Sequence, residues 1–116
     1  MAQYQHLPIY KVTYDLLVKT TEVTRHFPRD FKTFATRLRE EMIDIVLLIY
    51  RANSDRAERA RLLTVIVERM QAIELSLRLA RDLRLLSVNQ FSAVLMLTDS
   101  VVRQASGWRK SAASAE

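Results

Sequence analysis

Cysteine is absent from these 116 residues, glycine occurs once and proline twice. The first absence excludes a disulfide framework, a thiolate zinc site and a cysteine nucleophile. It also removes any sign of an oxidising compartment, so a cytoplasmic location is the default expectation. The scarcity of glycine and proline removes most of the residues that make turns and bulges, and the chain reads as long segments joined by short connections. Long apolar runs are missing too. The longest charge-free one, Ile45 to Tyr50, is far too short to span a bilayer, and Met1 to Leu7 is polar rather than a basic stretch followed by an apolar one. Neither export nor membrane insertion is expected.

What is present suits one folded domain. Apolar residues make up 49% of the chain and charged residues 27%, enough for a core and a solvated surface at this length. The formal charge is +5, and it arises from fourteen Arg and only four Lys against thirteen acids. Arginine offers a planar fork suited to bidentate contact with phosphate or carboxylate. The same side chain also pairs with acids one turn away on its own helix, so the bias admits both a binding and a structural reading.

Four helices emerge from the pattern. Pro8 suits a first helical turn, and Ile9, Val12, Leu16 and Val23 recur at helical spacing until Pro28 ends the segment near His26. A second helix is expected from Asp30 to Ala52, with Phe31, Phe34, Leu38, Ile45, Ile49 and Ala52 on one stripe. Between Met42 and Tyr50 nearly every position except Asp44 is apolar, which predicts cover on more than one side and hence oligomerisation. Asn53, Ser54 and Asp55 predict a cap for a third helix reaching Leu86, with one stripe through Ile66, Met70 and Ile73 and another through Leu75, Leu79, Leu83 and Leu86. Ser87 with Gln90 is a capping-box pair, and it opens a fourth helix that the lone glycine, Gly107, is expected to end. The fold class is therefore all-α, an antiparallel up-down-up-down four-helix bundle over residues 1–110, assembling as a homo-oligomer, with a flexible tail over residues 111–116.

Chemistry-bearing patterns are few. No glycine-rich phosphate loop or catalytic-triad arrangement is present, and there are two histidines. Glu22 and His26 lie one turn apart, the geometry of half a metal site, but the Glu-x-x-His pairs that a di-metal bundle needs on other helices are absent. Asp44 and Glu74 sit among apolar neighbours, where they either transfer protons or meet arginines. No cofactor, metal or catalytic residue is expected. The densest basic feature is Arg78-Leu79-Ala80-Arg81-Asp82-Leu83-Arg84, whose three arginines step by three along a slowly turning ridge, Asp82 pairing most simply with Arg78. Arg25, Arg29 and Lys32 form a second group, and Arg103, Arg109 and Lys110 a third at the opposite end of the bundle. Trp108, beside Arg109, either stacks on a base or packs on its own core.

Taken in order, Leu7-Pro8-Ile9-Tyr10-Lys11, Phe27-Pro28-Arg29-Asp30, Ile49-Tyr50-Arg51-Ala52-Asn53, Arg78-Leu79-Ala80-Arg81-Asp82-Leu83 and Gln104-Ala105-Ser106-Gly107-Trp108 resemble the accessory variability proteins of diversity-generating retroelements. The resemblance covers nearly the whole chain. Those proteins belong to a wider four-helix-bundle family that includes proteins encoded within intervening sequences of bacterial 23S ribosomal RNA genes. The resemblance implies a homopentameric barrel of bundles, without catalytic activity, that binds a reverse transcriptase and its template-repeat and flanking RNA and supports mutagenic cDNA synthesis. A pentamer would raise +5 to about +25 before counterions. The alternative reading is an intervening-sequence type bundle acting as a structural or RNA-associated interaction module. A third, a bundle enzyme using Glu22, His26, Asp44 or Glu74, requires a metal or cofactor. By residue chemistry rather than by resemblance, partner and nucleic-acid contacts fall first on Arg78, Arg81 and Arg84, then on Arg25, Arg29 and Arg37.

Overall fold

A computed structural model of the chain describes residues 4–114, and all of their regular structure is helical. Helix α1 spans Pro8–Thr24, α2 Lys32–Ser54, α3 Arg59–Asp82 and α4 Val88–Ser114, with 3-10 turns at Tyr4–His6 and Arg29–Phe31. Each helix packs against its two neighbours in the ring α1, α2, α3, α4, and none lies alongside the diagonal one. The short connections make successive helices antiparallel, so the chain forms a four-helix rod with extents of 47 × 20 × 19 Å. Among the described residues no helix is long and apolar enough to cross a membrane.

The stripes read from sequence face this core. Ile9, Leu16 and Val23 of α1 meet Leu38, Ile45 and Ile49 of α2 and Ile66, Met70 and Ile73 of α3, all buried. Each such side chain removed from water contributes roughly 1.5–3 kcal/mol, which is what drives the four amphipathic segments together. Local signals set some boundaries. Pro8 opens α1 at its first position. The Ser87 box forms reciprocally: the Gln90 N–H donates to Ser87 Oγ at 3.0 Å, and the Ser87 N–H donates to Gln90 Oε1 at 2.9 Å. Asp55 Oδ1 accepts the Glu58 N–H at 3.2 Å ahead of α3.

Three boundaries differ from the sequence reading. Asn53 and Ser54 belong to the last turn of α2 rather than to a cap, and α3 begins at Arg59. The end of α3 is Asp82, not Leu86. Arg84 follows in the left-handed region at φ 61°, its N–H donating to the Arg81 carbonyl at 2.9 Å while the Leu85 N–H reaches the Ala80 carbonyl at 2.8 Å. This is a Schellman closure with arginine at the position glycine usually fills. The reason lies in Leu86. A continued helix would keep it on the flank of Leu79 and Leu83, which are exposed, whereas the turn delivers it to the core, 4% exposed. Helix α4, finally, runs through Gly107 to Ser114. Ala105 is buried and Trp108 packs against the core on either side of the glycine, and that burial outweighs a mid-helix glycine cost of about 1 kcal/mol. Residues 111–114 of the expected tail thus continue α4, and residues 115–116 lie outside the described ones.

Candidate nucleic-acid interface

Antiparallel packing gathers the six candidate arginines at one end of the rod. The last turn of α1, the first turns of α2, the last turn of α3 and the start of α4 share that end, and Arg25, Arg29, Arg37, Arg78, Arg81 and Arg84 all lie on it. Residues 19–41 and, level with them, residues 72–100 make up this half, as the Asp44–Arg69 pair between α2 and α3 indicates, and they hold nine Lys and Arg against seven Asp and Glu. The remainder of the chain holds nine against six. Net charge is therefore spread along the rod, with Arg103, Arg109 and Lys110 on the other half, and what sets this end apart is which of its arginines lack a partner.

Within that end the arginines divide by what they touch. Arg78 pairs with Glu74, one turn back, at 2.9 Å, and Arg81 pairs with its neighbour Asp82 at 3.0 Å, so the expected pairing of Asp82 with Arg78 does not form. Both guanidinium groups also lie on Phe91 of α4, at 5.8 and 4.6 Å from the ring centroid. A guanidinium on an aromatic face is attracted by the ring quadrupole, which ties these two to the α3–α4 seam. The ridge is broken after them, because Arg84 stands beyond the helix end. Arg84, Arg25 and Arg29 are exposed and make no side-chain ion pair or hydrogen bond among the described residues. Arg37 is four-fifths exposed and meets Glu41 only at 4.0 Å. Exposed pairs of that kind are worth little, so its charge stays available.

Several side chains outside the six candidate arginines hold this end in place. Lys32 Nζ donates to the Arg25 carbonyl at 2.9 Å, capping the C-terminus of α1. Arg39 bridges α2 to α1 by donating to Thr24 Oγ1 at 3.0 Å, while Thr24 itself donates to the Thr20 carbonyl at 2.7 Å. The opposite end is closed by Arg59, which donates through Nε to the Ala52 carbonyl at 2.7 Å and through Nη2 to the Asn53 carbonyl at 3.0 Å. The same guanidinium lies 5.4 Å from the Trp108 ring centroid. Trp108 is thus half-buried beneath Arg59 and against the core, which takes up the ring a base would need. No spacing rule could have found Arg59, because its partners are on another helix.

The acids with catalytic readings are engaged otherwise. Asp44 is exposed and pairs with Arg69 of α3 at 3.4 Å, and Glu74 pairs with Arg78. Glu22 faces Lys19 at 3.7 Å, and His26 is exposed. No three His, Asp or Glu side chains cluster to hold a metal ion among the described residues. An open groove of 520 Å³ runs along α3 and α4, but Glu74, Asp99, Arg78 and Arg103 line it with both signs of charge, which favours no simple anion. No protein-family model, curated protein or solved structure matches this chain.

Proposed function

We propose that this chain is a non-catalytic accessory protein of a diversity-generating retroelement, binding a reverse transcriptase and its template RNA through basic surface and supporting mutagenic cDNA synthesis. The observation that carries the reading is the set of free arginines at one end of the rod: Arg25, Arg29 and Arg84 are exposed there with no side-chain ion pair or hydrogen bond among the described residues. The ordered motifs that resemble the accessory variability proteins supply the biological context, including a homopentameric assembly. Arg25, Arg29 and Arg84 are the phosphate-contacting residues in this reading, with Arg37 beside them, while Arg78 and Arg81 are held by Glu74 and Asp82. Each phosphate they neutralise releases counterions, so affinity falls steeply as salt rises.

The test is a titration of structured RNA with the purified protein at several salt concentrations between about 50 and 200 mM, together with co-purification alongside a reverse transcriptase encoded beside its gene. Replacing Arg25, Arg29 and Arg84 by alanine lowers the slope of log affinity against log salt by about 2, since each lost phosphate contact removes roughly 0.7–0.9. Loss of both RNA binding and transcriptase association in the wild-type protein would sink the proposal.

A further inference from the structure

Two exposed apolar surfaces lie on the rod. The first is the groove between α1 and α2, where Tyr14 and Val18 of α1 and Ile43, Leu47 and Tyr50 of α2 are exposed, Leu47 by 57%. Tyr4 meets Tyr10 and Tyr50 at its end near the α2–α3 turn, and Tyr10 meets Tyr14, with ring centroids 5.0–6.3 Å apart. The second is a ridge along α3, made by Leu75 at 60% exposure, Leu79 and Leu83, with Val88 and Met96 exposed on the neighbouring α4. Steps of four residues keep the three leucines adjacent on one helix surface. Each surface is on the order of a few hundred Å², the extent at which exposed apolar patches mark contact sites.

Leu75 lines the hollow between α3 and α4 with Asp99 and Val102. Leu83 shares a flank of α3 with Arg69, about four turns earlier, and Arg69 pairs with Asp44 of α2 at 3.4 Å. The ridge therefore crosses the outer side of α3 from its α4 flank toward its α2 flank, and α2 separates it from the groove. Groove and ridge are different faces, set roughly a third of the way round the rod from each other. Their shapes differ too, since a ridge on one helix fits the furrow between two. The charges at their margins are ordered. Arg51 lies at the end of the groove near the α2–α3 turn, and Glu22 and Glu40 lie toward the arginine-bearing end. On the ridge, Glu68 stands about two turns before Leu75, on the side of the α2–α3 turn. All four are exposed; Arg51, Glu40 and Glu68 have no side-chain partner among the described residues, and Glu22 has only Lys19 at 3.7 Å.

We infer that the groove of one copy receives the α3 ridge of a second copy, the two rods pointing the same way. The leucine ridge of the partner subunit covers Tyr14, Val18, Ile43 and Leu47, and Glu68 of the partner subunit comes to Arg51. With the rods reversed, that glutamate would instead approach Glu22 and Glu40, like against like. The Asp44–Arg69 pair sets Leu79 level with Phe34 of its own α2, so the ridge lies on the order of 15 Å nearer the arginine-bearing end than the groove. Neighbouring rods therefore dock inclined, like staves. Faces that are neither identical nor opposite close into a ring rather than a pair or a straight filament. Arg25, Arg29 and Arg84 come after the last apolar residue of groove or ridge toward the arginine-bearing end, so the contact leaves them free. The pairing of faces deepens the assembly in the proposed function, and it rests on that reading for a ring of five but not for the contact itself.

Sedimentation equilibrium and light scattering of the full chain test it. The wild-type protein is expected as a ring of more than two subunits. Leu47→Asp in the groove and Leu79→Asp on the ridge, both at exposed positions, each raise the dissociation constant by at least about a hundredfold and leave the helical circular dichroism spectrum unaltered. Mixed in equal amounts, the two variants form a one-to-one heterodimer and stop there, because one retains an intact ridge and the other an intact groove. Glu68→Arg weakens association about tenfold at low salt, and Glu68→Arg combined with Arg51→Glu returns it to within about twofold of wild type. The charge variants decide the matter even if an aspartate variant fails to fold. A wild type that is monomeric or stops at a dimer, a mixture of the two aspartate variants that stays monomeric, or a charge swap that does not restore association each overturns the inference. A ring that passes these tests with other than five subunits, or without binding RNA, supports the contact and overturns the corresponding part of the proposed function.

Discussion

At the end of the rod where α2 turns into α3, Arg59 gives three of its contacts to fixed groups: the carbonyls of Ala52 and Asn53 and the face of Trp108. At the other end, Arg84 is held in a left-handed conformation with its guanidinium in solvent, and Arg25 and Arg29 are likewise without side-chain partners among the described residues. Both ends are rich in arginine, yet one spends its donors on closing the bundle and the other leaves them for something outside it. Composition counts these residues alike. A guanidinium whose donors already meet carbonyls cannot reach a phosphate without breaking them, so the bias toward arginine becomes a binding signal only after the structural arginines are set aside.

The largest expected effect tests the closed end. Arg59→Ala frees two carbonyls at the C-terminus of α2 and uncovers Trp108, and hydrogen bonds from a charged donor are worth about 1.5–3 kcal/mol each in favourable cases. The variant is expected to lose about 2 kcal/mol of stability in urea denaturation, whereas Arg29→Ala at the open end stays within about 0.5 kcal/mol of wild type. Equal, small losses at both positions would erase the distinction between the ends.

How much of this was legible beforehand follows from how far each determinant reaches along the chain. The four helices, their order and their buried stripes were legible, because periodicity and the prolines at 8 and 28 are local. The Ser87 and Gln90 pair was legible for the same reason: both partners lie within one turn. The end of α3 was not, since nothing between Asp82 and Leu86 is glycine or asparagine and the turn is imposed by burying Leu86. The continuation of α4 past Gly107 was hidden because the packing of Ala105 and Trp108 is a property of the assembled bundle. For the candidate site, the six arginines and their common end could be reached from topology. Which of them are free could not, because Phe91 and the choice between Glu74 and Asp82 as partners depend on where the helices lie.

Next in size is the cap that builds the open end. Ser87→Ala removes the acceptor for the Gln90 N–H and is expected to cost about 1 kcal/mol. Measured RNA affinity and its salt slope stay unchanged for the folded variant, because Ser87 carries no charge. A change in slope would mean that the α3–α4 turn itself, rather than its arginines, touches the ligand.

At the closed end, Gly107 offers a gain of similar or smaller size. A methyl group there would meet nothing within 4 Å, and the residue is helical, so Gly107→Ala is expected to stabilise the protein by about 0.5–1 kcal/mol. Thermal melting reads it directly. A loss of stability would show that something approaches the glycine closely, and the Leu7, Pro8 and Trp108 side chains that line the hollow beside it would be the place to look.

The smallest change in stability is the one that separates folding from function at the open end. Arg84 occupies a backbone region that side chains other than glycine enter at a cost, and its side chain forms no hydrogen bond or ion pair among the described residues that would offset it. Arg84→Gly relieves that strain but enlarges the freedom of the unfolded chain, leaving a net gain of about 0.5 kcal/mol. If the residue serves only as a turn, the glycine variant is more stable and otherwise identical. If it contacts phosphate, the same variant binds structured RNA more weakly, with a salt slope reduced by about 1. Arg84→Lys keeps the charge and the strain, so it retains most of the salt slope without the gain in stability. A glycine variant with greater stability and undiminished RNA binding would remove Arg84 from the interface and leave the open end to Arg25 and Arg29.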